Sequence, residues 1–72
     1  MNVTESIRRM CVQSGRGPVE VSGAIGRSRA FLSSALTRGT MPRVDTLAKV
    51  AQACGYQLVL ESDTDRIEID VE

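Results

Sequence analysis

The spacing of apolar residues changes at Gly55. Upstream, apolar side chains recur every three or four positions; downstream, Tyr56, Leu58 and Leu60 fall on alternate positions, as do Ile67, Ile69 and Val71, the latter interleaved with Glu68, Asp70 and Glu72. A period near 3.6 belongs to helices with one buried face, and a period of two to half-buried strands. A chain of 72 residues has room for a single core that buries about 60% of the surface its unfolded form exposes. The expectation is a mainly α protein, with a helical body over residues 1–55 and a C-terminal β-hairpin over residues 56–72.

The helical part divides at its breakers. Asn2 followed by Glu5 is a capping pair, and Ile7, Met10, Cys11 and Ser14 continue at helical spacing to Gly15, which predicts a helix over about 3–14. Pro18 suits the first turn of a second helix, with Val21 and Ile25 as its apolar stripe. Gly26 fits a left-handed helix end, and Ser28 is expected to cap a third helix over about 29–37 with its hydroxyl. That helix turns Leu32, Leu36 and Ala35 inward and leaves Arg29, Ala30, Ser33, Ser34 and Thr37 outside. After Gly39 and Pro42, the stripe Val44, Leu47, Ala48, Ala51, Cys54 predicts a fourth helix ending at Gly55.

Several function classes are excluded by what the chain lacks. It has no His and only two cysteines, Cys11 and Cys54, so ordinary zinc spacing is absent and no metal or cofactor is expected. Each cysteine sits on an apolar stripe, where it reads as a small core residue in a reducing compartment. No nucleophile and base stand at useful spacing, and a domain this small encloses no pocket of usual size, so an enzyme is not expected. No apolar run approaches the ~20 residues of a membrane span, and no secretory segment opens the sequence; the expected location is the cytoplasm.

The formal net charge of zero conceals a strong asymmetry. Residues 1–60 carry Arg8, Arg9, Arg16, Arg27, Arg29, Arg38, Arg43 and Lys49 against Glu5, Glu20 and Asp45. Residues 61–72 carry Arg66 against Glu61, Asp63, Asp65, Glu68, Asp70 and Glu72. A basic body is therefore joined to an acidic tail.

Two short helices joined by "IGRS" (residues 25–28) meet the conditions of a helix-turn-helix: a bracing helix, a tight turn with Gly, and a second helix whose N-terminal residues project outward. Over residues 5–60 the sequence resembles the Xre-like helix-turn-helix domains of the lambda repressor and Cro type. "IRRMCVQSG" stands at the family's first helix, "VEVSGAIGRSRAFLSSAL" at its bracing helix, turn and recognition helix, and "PRVDTLAKVAQACGYQLVL" at its fourth helix, where Pro-x-x-Asp-Thr-Leu before an Ala-rich helix is the most specific element. Gly17 and Pro18 stand where the family usually has Ser-Gln, and Arg43 where it often has a Ser or Thr cap.

The resemblance implies a four- to five-helix lambda-repressor-like DNA-binding domain, with Arg27, Ser28, Arg29, Ala30, Ser33 and Ser34 on or beside the surface facing the major groove. Arg holds the O6 and N7 of guanine in a bidentate contact, which makes Arg29 the foremost candidate for base readout, followed by Ser33. Arg38, Thr40 and Arg43 flank the loop after this helix and are expected to grip phosphates, as is Arg16 from the other side. The implied function is a sequence-specific double-stranded DNA-binding transcriptional regulator, a repressor, that acts as a homodimer through the helix at 29–37.

The tail carries the dimerisation expectation. Two isolated strands are marginal in water, so Tyr56, Leu58, Leu60, Ile67, Ile69 and Val71 need a cover, and pairing across a two-fold axis would form a four-stranded sheet. Two alternatives stand beside it: the acidic strand folds onto its own helices as a local structural element, or the protein is an antitoxin or other protein-interaction module whose acidic tail binds a protein partner. A toxin is one such partner, in keeping with the resemblance of "GYQLVLE" and the fold to HigA-like antitoxins.

Overall fold

The computed structural model describes residues 1–71; Glu72, the last of the alternating acidic positions, lies outside the described residues. The first helix, α1 (Val3–Ser14), starts where local chemistry requires: the Asn2 side-chain oxygen accepts the Glu5 amide at 2.8 Å, and the Asn2 side-chain amide donates to the Glu5 carboxylate at 3.2 Å. The pair satisfies a donor that the first helical turn leaves orphaned. Three further helices follow, α2 (Pro18–Ala24), α3 (Phe31–Arg38) and α4 (Val44–Ala53), and then an antiparallel hairpin of β1 (Leu58–Glu61) and β2 (Arg66–Ile69). The protein is mainly α.

The core draws on every helix: Ile7, Met10 and Cys11 from α1, Val21 from α2, Leu32 and Leu36 from α3, Val50 and Ala51 from α4, with Cys54 just beyond. Helix α4 lies centrally and touches α1, α2 and β1. It is therefore buried over a wider arc than one stripe. Val50 and Thr46, both off the expected stripe, are buried, whereas Val44, expected inside, is 64% exposed at the first position of α4, where the buried face has turned towards Thr46. Arg43 provides no side-chain cap for α4, and the Asp45 carboxylate instead accepts the Thr46 amide at 2.9 Å.

Cys11 and Cys54 are both free and buried. Burial pushes the Cys11 thiol above its ordinary range, and the neighbouring Cys54, by its charge and by a hydrogen bond, pushes in the same direction. A buried protonated thiol packs as a small hydrophobe.

The change of period at Gly55 has a direct structural counterpart. Gly55 adopts φ 78°, its amide donates to the Gln52 carbonyl, and the Tyr56 amide donates to the Ala51 carbonyl at 2.8 Å. These bonds close α4 and consume the Tyr56 amide, so β1 begins at Leu58 rather than at Tyr56, and Val71 lies beyond β2. Leu58 pairs with Ile69 and Leu60 with Ile67, which sets the alternating apolar residues on one face. The end nearer the body, Leu58 and Ile69, is half-buried, while Leu60 and Ile67 towards the tip are 59% and 52% exposed. Ser62 organises the tip: its hydroxyl accepts the Thr64 and Asp65 amides, and its own amide donates to the Asp65 carbonyl. Among the described residues no helix is long and apolar enough to cross a membrane.

Candidate nucleic-acid interface

Helices α2 and α3 and the turn between them are held by a small number of bonds. Gly26 takes φ 76°; its amide donates to the Gly23 carbonyl and the Arg27 amide reaches back to the Ser22 carbonyl at 2.9 Å. This Schellman closure needs a residue at positive φ between two helices, where glycine carries no Cβ penalty.

Helix α3 begins two residues later than its sequence signals indicate. Ser28 was the expected hydroxyl cap, yet its carbonyl, not its side chain, accepts the Phe31 amide at 3.0 Å, so residues 28–31 form a turn and Ala30 occupies the cap position with no side-chain bond. The missing cap is supplied by α2. The buried Ser22 hydroxyl accepts the Leu32 amide at 3.0 Å and donates to the Pro18 carbonyl at 2.7 Å. Sequence reasoning missed this residue; the available signal is a Ser four positions after Pro18 and three before Ile25, on the inner side of α2. At the other end of α3, the Arg8 guanidinium donates to the Leu36 carbonyl at 3.3 Å, tying α1 to the C-terminal turn. Arg8 also escaped the sequence reading, since no local pattern connects positions 28 residues apart.

The outward surface gathers many of the expected residues. Ser28, Ala30, Ser34, Arg38 and Thr40 line one shallow depression together with Phe31 and Ala35. With Leu32 and Leu36 buried, the helical period sets Ser34 on the opposite pole of α3 and Ser33 on its flank. Arg29 is exposed and lies in the turn preceding α3 instead of in its first turn. The Arg27 guanidinium lies over the Phe31 ring, 4.7 Å from its centroid, which stiffens one cation of the turn while its polar edge stays in water. Phe31 itself is half-buried against the core.

Two other expected phosphate ligands already hold carboxylates. Arg16 pairs with Glu20 at 3.5 Å and Arg43 with Asp45 at 3.4 Å, all four side chains being substantially exposed. Exposed pairs of this kind contribute little and exchange readily for another anion. Arg43 also lines a groove between the start of α4 and the end of the hairpin, with Val44, Asp45, Lys49, Ile69, Asp70 and Val71. The end of the acidic tail, with Asp70, therefore lies beside the start of α4, and no tail residue lines the α3 depression.

The expected dimerisation residues divide into two groups. Leu58, Ile69 and Val71 are half-buried and line a cleft between the hairpin and α4, which the more exposed Tyr56 also borders; Leu60 and Ile67 remain exposed towards the tip. Among the described residues, no three His, Cys, Asp or Glu side chains converge as a metal site would require. No family model, curated protein or solved structure matches the chain.

Proposed function

We propose that this protein is a double-stranded DNA-binding transcriptional regulator, a repressor of the Xre-like helix-turn-helix type, that inserts α3 into the major groove and acts as a homodimer. One observation carries the reading. Helix α3 is fastened to α2 through Ser22, while its outer side, with the turn before it, presents Arg27, Arg29, Ser34 and Arg38 and bears no carboxylate. Such a helix can enter a groove without distorting its support. Arg29 at its leading end serves as the base-reading side chain, and Ser33 and Ser34 contribute contacts of low selectivity. Arg38, at the end where the helix dipole is negative, and Thr40, Arg43 and Arg16 bind phosphates and release counterions. Two recognition helices held about 34 Å apart read successive grooves and obstruct polymerase.

The second reading, a protein-interaction module, draws on the exposure of Leu60 and Ile67 near the acidic tip. The two readings separate in one experiment: binding of the purified protein to labelled DNA from upstream of its own gene, with random-sequence competitor, at two salt concentrations and beside an Arg29→Ala variant. Binding that survives competitor and collapses in the variant supports the regulator. Weak, steeply salt-dependent binding that ignores the substitution refutes sequence readout by α3.

A further inference from the structure

We infer that the outer edge of β2 docks β2 of a second copy of this chain, antiparallel, about a two-fold axis at Ile67. The inference deepens the homodimer of the proposed function and rests on that reading for its biological purpose, though not for its chemistry.

The backbone states which groups face outward. The Ser62 amide to Asp65 carbonyl bond, with Glu61 opposite Arg66, makes that pair the non-hydrogen-bonded kind. Alternation then makes Leu60–Ile67 and Leu58–Ile69 the hydrogen-bonded pairs. The amides and carbonyls of Arg66 and Glu68 consequently point away from β1, along an edge where residues 65–68 are all exposed. The Arg66 amide donates to the exposed carboxylate of Asp65 at 2.8 Å, a local bond that the carbonyl of an incoming strand replaces. An edge that no strand covers is a template for another strand.

The side chains choose the occupant and the register. With the axis at Ile67, Arg66 of each copy faces the partner's Glu68, so two opposite-charge pairs form at the positions where the backbones exchange hydrogen bonds. Ile67 faces the partner's Ile67 as a close non-hydrogen-bonded pair with Leu60 beside it, which gathers the exposed apolar side chains of both tips into one cluster. An axis at Glu68 would oppose two glutamates, and an axis at Arg66 two arginines. A slip by one residue sets apolar against charged side chains on both faces. Strand β1 has no cation and forms no ion pair with itself in any register. The product is a four-stranded sheet of order β1-β2-β2-β1, which meets the need of an isolated hairpin for further strands.

Sedimentation equilibrium of the full chain at physiological salt, without DNA, tests the proposal. Arg66→Glu and Glu68→Arg are each expected to weaken self-association by about tenfold. Mixed in equal amounts, the two variants are expected to recover wild-type affinity as a heterodimer, identified by native mass spectrometry, because each carries the charge the other lacks. Thermal unfolding of each variant alone shows whether it still folds. The proposal is overturned if the wild type remains monomeric at its highest soluble concentration, which leaves the edge to a different protein. It is equally overturned if folded single variants associate like the wild type, or if the mixture gains nothing. A charge-dependent dimer without sequence-specific DNA binding would leave this interface standing and defeat the regulator reading; specific binding by a monomer would do the reverse.

Discussion

The Ser22 hydroxyl caps α3 from α2, accepting the Leu32 amide at 3.0 Å across a sequence gap of ten residues while donating to the Pro18 carbonyl at 2.7 Å. The bond makes the orientation of the exposed helix depend on a fully buried polar atom in its neighbour.

Ser22→Ala is expected to destabilise the fold by about 1–3 kcal/mol, because the Leu32 amide is left buried without an acceptor. For a domain of this size each kcal/mol lowers Tm by about 4–8 °C. Urea unfolding followed by circular dichroism measures the loss; a change of a few tenths of a kcal/mol would mean that another group caps α3.

Gly26→Ala separates backbone conformation from packing. A Cβ built at this position meets nothing within 4 Å, so the cost is that of a left-handed residue alone, about 1–2 kcal/mol. Gly26→Asn should recover part of the loss, since Asn tolerates that conformation better. Equal losses for the two variants would point to a steric contact instead.

Arg29 and Arg38 are expected to fail in different ways on DNA. Arg29→Ala should reduce the preference for the cognate site over random sequence by about 1–3 kcal/mol. Arg38→Ala should weaken binding to all sequences alike and reduce the slope of log K against log salt by about one. Titrations of both DNAs at several salt concentrations distinguish the two patterns.

Cys11 links stability to pH. Its thiol is raised first by burial and then by Cys54, so above the unfolded thiol value, near ~8.5, the folded chain holds a proton that the unfolded chain has lost. The contribution of Cys11 to the unfolding free energy should therefore be constant below that value and fall as pH rises through the window up to the raised folded value. Cys11→Ala should flatten this decline. Unfolding curves at pH 7 and at alkaline pH provide the comparison, and an unchanged slope in the variant would assign the decline to other groups.

Much of the architecture is a short-range matter and was legible. The Asn2–Glu5 cap, the Pro18 start, the left-handed Gly26, the helix stop at Gly55 and the alternation of Leu58, Leu60, Ile67 and Ile69 each depend on residues a few positions apart. Four helices and a hairpin follow from such rules. The exposure of Arg27, Arg29 and Arg38 was also apparent, because charged side chains in a turn or on the outer side of an amphipathic helix have nowhere else to go.

What the tertiary structure decided is which local candidates are used. Ser28 has the right chemistry for a cap and does not serve as one, because Ser22 reaches the Leu32 amide from inside the core and a turn takes the Ser28 carbonyl. Val44 follows the apolar stripe of α4 and still faces solvent, because only the path of α1, α2 and β1 determines where the core ends. Arg8 at the Leu36 carbonyl and Cys11 beside Cys54 are meetings between distant parts of the chain. By itself the sequence determined the periods, the breakers and the sign of the charge along the chain, since these act through neighbouring residues. Partnership between elements belongs to the tertiary structure, because a hydrogen bond or a buried contact depends on distance in space, which the order of residues does not contain.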